Sequence, residues 1–198
     1  DRVLRVLPGI ADEDGLVAVA ADRLARTMTN PEALTEIVLN DLVASFGWEH
    51  RPRGTRALRR VLQKPARTFA NQMMEFDSDI ARLGLPEAAR RTQRHYVREM
   101  EVINEEPLPR GPFLALANHP GMTDALSLFA ALNRNDLKII ARDRPFLNAL
   151  LHTSERLFYV RTEDSAARAN LVRHVSTHLR SGGAVLTFPA GHIEREPA

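Results

Sequence analysis

The chain has no cysteine among its 198 residues, so disulfides and thiolate catalysis are excluded, and a reducing, cytosol-facing compartment is the expectation. Lysine is nearly absent: Lys64 and Lys138 are the only two, and the other cations are arginines. Arginine stays protonated at high pH, which reconciles a formal charge of only +2 with a pI near 9.5. No apolar run approaches the roughly 18–20 residues of a membrane-crossing helix. The nearest approaches, 16–21 and 125–132, are short. No basic region followed by a long apolar core marks a signal peptide. Phosphate-cradling loops of the GxxxxGK or GxGxxG type, a GxSxG nucleophile elbow and an HExxH metal helix are all missing. The first residue is Asp1 rather than Met, so the expectation is a piece of a longer chain.

What is present divides into two kinds of pattern. Residues 1–108 are expected to form an all-helical N-terminal region. Asn30-Pro31-Glu32 is a start signal, with an N-cap, a proline at the first helical position and an acid in the first turn. Leu34, Ile37, Val38, Leu42 and Phe46 follow at helical spacing, and Gly47 is the stop. A second helix is expected from Thr55, broken or kinked at Pro65. A third is expected from Ala66 to Leu83, and a fourth from Pro86 to Ile103. Residues 105–112 carry three prolines and a glycine and read as a rigid linker. From 109 to 198 short strands alternate with helices. Strands are expected at Phe113–Ala117, Leu137–Ala141, Leu157–Val160 and Ala184–Phe188; helices are expected at Asp124–Leu132, Phe146–His152 and Asp164–Leu179. That alternation predicts an α/β domain with a mostly parallel sheet flanked by helices on both faces. Sites in such sheets lie beyond the carboxyl ends of strands. His119, Arg161 and Pro189-Ala190-Gly191-His192 each follow a different expected strand.

His119 and Asp124 stand five positions apart just after the first strand. An imidazole takes a proton near neutrality, and a carboxylate on its other nitrogen fixes the tautomer and stabilises the imidazolium that forms. The stretch Asn118-His119-Pro120-Gly121-Met122-Thr123-Asp124 resembles the NHxxxxD block of the phospholipid/glycerol acyltransferase family, the 1-acyl-glycerol-3-phosphate acyltransferase type. Phe158-Tyr159-Val160-Arg161 resembles the family's second block. Phe188-Pro189-Ala190-Gly191-His192-Ile193-Glu194 resembles the third, usually FPEGTRS. The resemblance covers about residues 110–198 and implies the glycerol-3-phosphate acyltransferase-like fold.

It also implies transfer of a fatty acyl group from acyl-CoA or acyl carrier protein to a hydroxyl of a lysophospholipid or glycerol-phosphate-like acceptor. His119 would be the general base and Asp124 would orient it. Arg161, Gly191, His192 and Glu194 would bind substrate. No metal and no resident cofactor are expected, the acyl thioester being a co-substrate. Oxyanion donors are expected among backbone N–H groups near Gly121 or Gly191. Ala190 stands where the family has Glu, and His192-Ile193 where it has Thr-Arg. His192 or Arg195 would have to take over the missing arginine's task, or the acceptor carries a different head group. An inactive or altered-acceptor member is therefore the alternative. The family's fourth block is expected beyond Ala198, leaving the sheet incomplete.

Residues 51–74 hold Arg51, Arg53, Arg56, Arg59, Arg60, Lys64 and Arg67 with no acid. A basic amphipathic helix of this kind can lie on anionic lipid, so peripheral association with the cytoplasmic face of a membrane is expected. A solvated face pairing with acids elsewhere, or a non-enzymatic nucleic-acid or membrane module, are the other readings. The patch lacks the interleaved aromatics of a nucleic-acid reader, and no nucleic-acid partner is expected. His174 and His178, four apart on one helix, could face a metal, but no third ligand accompanies them.

Overall fold

The computed structural model describes residues 30–47, 52–103, 108–119, 121–160 and 165–191. The chain runs α1 (Pro31–Ser45), α2 (Pro52–Leu83), α3 (Leu85–Gln93), β1 (Phe113–Leu116), α4 (Met122–Leu132), β2 (Lys138–Arg142), α5 (Pro145–Asn148), α6 (Leu151–Ser154), β3 (Leu157–Val160), α7 (Ser165–Arg180) and β4 (Ala184–Thr187). The four strands form one parallel sheet in the order β1-β4-β2-β3. The α/β class and the helical segment before it match the expectation.

The first helix starts as its sequence dictates: the Asn30 side chain accepts from the Glu32 N–H at 2.9 Å, and Pro31 follows it. Two helical expectations are met only in part, for physical reasons. Pro65 does not break α2, which runs unbroken for 32 residues. Proline leaves the Val61 carbonyl without its helical partner, but Val61 and Pro65 lie one turn apart on the exposed side, where water can replace the bond. The buried side carries Ala66, Ala70, Met73, Phe76 and Ile80 in an uninterrupted helical stripe. Packing of that stripe holds the helix across the proline. The helix expected over Pro86–Ile103 ends at Gln93. Its buried face stops there; Met100, Val102 and Ile103 are exposed and offer no face to bury. Gly84 makes the corner between α2 and α3 at φ +82°, and a Cβ there would fall 2.1 Å from the Asn135 side-chain oxygen.

The segment expected as one helix over Phe146–His152 is two single turns. Between them Leu150 turns into a buried cluster with Leu34, Ala70 and Met73. Asp77 of α2, itself buried, accepts the His152 N–H (3.2 Å), the Thr153 N–H (2.7 Å) and the Thr153 hydroxyl (2.8 Å), which satisfies the start of α6. No sequence signal pointed to that long-range cap.

The main core lies on one face of the sheet. Ile139, Ala184 and Leu186 meet Leu126 and Ala130 of α4, Phe76 and Ile80 of α2, and Leu85, Ala88 and Ala89 of α3. The end of the helical segment therefore shares a core with the strands. On the opposite face α7 packs against β3 and β4. There β1 differs from the buried strand expected: Leu114 is 48% and Leu116 66% exposed. Beyond the edge position of β1 the helical cover expected on both faces is incomplete among the described residues.

Candidate active site

The register of the sheet brings two chain segments to one edge. Leu116 at the end of β1 pairs with Thr187 at the end of β4, and the Ala117 N–H continues the ladder to the Thr187 carbonyl at 3.2 Å. His119 leaves β1, and Phe188 leaves β4, side by side. β4 lies between β1 and β2 with Ala184, Val185 and Leu186 fully buried, so this edge is built on a buried interior strand of the sheet.

Asp124 enters from the first turn of α4, where the positive end of the helix dipole favours a carboxylate. Its Oδ2 lies 2.8 Å from His119 Nδ1, with the two side chains 20% and 25% exposed. An ionised carboxylate only accepts, so the hydrogen of a neutral imidazole is assigned to Nδ1, and Nε2 becomes the basic nitrogen. Asp124 Oδ1 is buried without a hydrogen bond to a described residue. Gly121 caps α4 in an extended conformation (φ −176°), and a Cβ there would stand 3.6 Å from that oxygen, an ordinary contact. The turn thus has room for a side chain at this position.

The Phe188 ring stacks on the His119 ring, with centroids 4.4 Å apart and planes 27° from parallel. Sequence reading placed Phe188 at the end of a strand and missed this contact; its signal, an aromatic immediately after the central strand, carries no partner information. Past it the chain turns: the Gly191 N–H donates to the Phe188 carbonyl at 3.0 Å, with Gly191 at φ +66°. That N–H is committed to the turn, which removes it from the oxyanion donors expected near Gly191. Between the two segments lies a cleft of about 200 Å³ lined by Leu116, Ala117, Asn118, Pro189 and Ala190. Arg161, His192, Glu194 and Arg195 fall outside the described residues, so the site assembles His119, Asp124, Phe188 and Gly191 of those that the sequence and structure single out.

Other candidates resolve into structural roles. His178 Nε2 lies 2.9 Å from the Asp136 carbonyl and 3.2 Å from that of Ala184, tying α7 to the sheet. His174 sits by the Phe158 ring, and no metal-holding cluster occurs among the described residues. On β3 the Tyr159 hydroxyl is buried without a hydrogen bond to a described residue; burial, and then the charge of Asp143, push its ionisation above the usual range. In the basic segment Arg59 turns inward to Glu36 and to Asn40 (2.7 Å) of α1. Arg56, Arg60, Lys64 and Arg67 are exposed, with no ion pair to a described residue. Arg51 and the side chain of Arg53 lie outside what is described. Beside Lys64 runs an apolar cleft of about 410 Å³, walled by Pro65, Phe69 and Tyr96. No helix among the described residues is long and apolar enough to cross a membrane.

Comparison with known proteins adds one match. The Acyltransferase family model covers residues 99–197. No curated protein and no solved structure matches the chain. The matched span contains β1 to β4, the helices between them and the edge where His119, Asp124 and Phe188 meet. Half of the chain is matched, so the protein belongs to the acyltransferase family and is an acyl-transferring enzyme.

Proposed function

We propose that the protein transfers a fatty acyl group from acyl-CoA or acyl carrier protein to a hydroxyl of a lysophospholipid or glycerol-phosphate-like acceptor. His119 is the general base. The observation that carries this reading is the 2.8 Å contact of His119 Nδ1 with Asp124 at the carboxyl edge of a parallel sheet. His119 Nε2 takes the proton of the acceptor hydroxyl as its oxygen attacks the thioester carbonyl. The carbonyl π electrons move to oxygen and form a tetrahedral oxyanion. Collapse re-forms the carbonyl and breaks the carbon–sulfur bond. The departing thiolate recovers the proton from the imidazolium, so the enzyme returns to its starting state with no covalent intermediate. Asp124 holds the tautomer and offsets the imidazolium charge in between. Such base catalysis is worth about 10²–10⁴-fold, and positioning and oxyanion stabilisation supply the rest.

Arg161, His192 and Glu194 are the proposed acceptor-binding residues, with a guanidinium fork suited to phosphate oxygens. The exposed cations Arg56, Arg60, Lys64 and Arg67 on one helix support a peripheral position on anionic membrane, where a lipid acceptor resides. The test is thiol release from acyl-CoA across a panel of lysophospholipid and glycerol-phosphate acceptors. His119→Ala should lose at least about a hundredfold with unchanged circular dichroism. Activity of this variant equal to wild type overturns the base assignment. Sedimentation with vesicles should require anionic lipid and fade with salt; binding indifferent to lipid charge removes the membrane role of the helix.

A further inference from the structure

We propose that the cleft beside Lys64 is a lipid site: it holds one alkyl chain of an anionic lipid, whose charged head lies on the cations of α2. The site stands apart from the sheet edge and shares no lining residue with the smaller cleft between the ends of β1 and β4. Helical spacing builds two stripes side by side on α2. Arg56, Arg60, Lys64 and Arg67 recur every three or four residues and form a cationic stripe, each of them exposed and without an ion pair to a described residue. Lys64, Thr68 and Gln72 follow one another at intervals of four, with Pro65 and Phe69 in the next row, and these line the cleft of about 410 Å³. Lys64 belongs to both stripes. A lysine lays its stem on apolar surface and keeps its ammonium in water, so a cation stands at the rim of an apolar space. The volume is within the range of small-molecule sites, about 300–1,000 Å³.

The walls are set without a ligand. The Tyr96 hydroxyl donates to Gln72 Oε1 at 2.5 Å, and its backbone N–H donates to the Gln93 carbonyl at 2.9 Å. The Phe69 ring is backed by Phe146, with centroids 5.7 Å apart and planes 20° from parallel. Walls fixed in advance lower the ordering cost of binding. Pro65 supplies a further wall although it costs α2 a hydrogen bond, and such departures from local consistency are expected at functional sites. Charge and shape then select the occupant. Residues 51–74 contain no Asp or Glu, and no acid is among the lining residues of the cleft. A free phosphate gains nothing from the apolar walls, and a neutral chain gains nothing from the cationic stripe. An anionic amphiphile gains from both. The proposal rests on the peripheral membrane reading for the source of the lipid, and its test separates the two.

The probe is dodecyl phosphate below its micelle concentration, titrated into the full chain by calorimetry beside dodecyl maltoside and inorganic phosphate. Dodecyl phosphate should bind one-to-one and at least about tenfold tighter than either. Tyr96→Ala removes a wall and no charge, and should weaken it about tenfold. Lys64→Gln should weaken it about fivefold and narrow its advantage over the maltoside. Thr68→Trp, at an exposed helix position, fills the cleft, leaves every cation in place and should block the probe even if Tyr96→Ala fails to fold. The proposal is overturned if the maltoside binds as tightly as the phosphate, or if all three variants bind the probe like wild type. A dimer of the free chain that Tyr96→Ala dissolves would also overturn it, because a second copy would then fill the cleft. Sedimentation with anionic vesicles is read in parallel. Sedimentation that persists while the variants leave probe binding unchanged keeps the membrane position and sinks the cleft. Probe binding with the expected losses, but no sedimentation, keeps the cleft and sinks the membrane position.

Discussion

Replacing Asp124 by Asn isolates the charge of the His119–Asp124 pair while nearly preserving its shape. Oδ2 stands 2.8 Å from Nδ1, which puts the centres of the two charges about 4 Å apart once the imidazole is protonated. At an effective dielectric constant of about 20, that pair is worth about 4 kcal/mol, or close to three decades in rate at about 1.4 kcal/mol per decade. The side chains are a fifth to a quarter exposed, so solvent screening reduces this toward two decades. A second effect acts in the same direction. The amide can present N–H to Nδ1, which moves the imidazole hydrogen to Nε2 and blocks proton uptake there. Asp124→Asn should therefore lower kcat by about 10²–10³-fold. Its unfolding midpoint should change little, because among the described residues the carboxylate makes one hydrogen bond, through Oδ2, and none through Oδ1. The assay is initial-rate thiol release at saturating acceptor, with urea unfolding as the control. A kcat within about threefold of wild type, with fold intact, would refute the electrostatic role assigned to Asp124.

Pro65→Ala should stabilise the protein, because it returns an N–H to the Val61 carbonyl on an exposed helix face. About 3 kcal/mol is regained in the helix and about 1 kcal/mol is given back through the freer unfolded chain. A net gain near 2 kcal/mol should appear in chemical unfolding, and a destabilised variant would mean that α2 is built around the proline. Arg134 joins Asp136 through two bonds (2.7 and 2.6 Å), reaches the Arg110, Gly111 and Gly182 carbonyls, and covers the Phe113 ring. Arg134→Ala should cost about 2–4 kcal/mol. The hydrogen bond from Arg134, foremost, holds the Asp136 carboxyl below its usual range. Its contribution to stability is therefore complete above about pH 4 and is lost as pH falls through the depressed folded value. The acid side of the stability profile should flatten in Arg134→Ala, and an unchanged profile would contradict the assignment.

Much of this fold was legible because the sequence states it locally. Asn30-Pro31-Glu32 contains its own cap, and Leu157–Val160 coincides with β3, since short apolar runs between helices have few alternatives in a parallel sheet. The failures lie where distant residues decide. Pro65 is a helix breaker by itself, but Ala66, Ala70 and Met73 bury a stripe that outweighs it. Residues 94–103 have helical composition but no surface to cover. The break at Leu150 depends on Asp77, more than seventy residues earlier in the chain. At the site, His119 and Asp124 were readable because five residues and one turn bring them together. Phe188 was not, because its contact with His119 is made by strand order: β4, the last strand in sequence, lies next to β1, the first.

The same division bears on the third block, Phe188-Pro189-Ala190-Gly191-His192-Ile193-Glu194. The positions that agree with FPEGTRS have tasks visible in the backbone and around the imidazole. Phe188 faces His119, Pro189 walls the cleft, and Gly191 at φ +66° closes the turn that holds the Phe188 carbonyl. Of the positions that differ, Ala190 lines the cleft and adds no charge to it. The glutamate-to-alanine difference leaves the Phe188–His119 stack and the His119–Asp124 contact in place, as both are made by other residues. On the proposed reading of His119 as the base, its preparation and the recognition of the acceptor are separable in this chain. Departures in the block argue for a changed acceptor before they argue for a dead enzyme, and an acceptor panel has to extend beyond phosphate-bearing head groups to be informative.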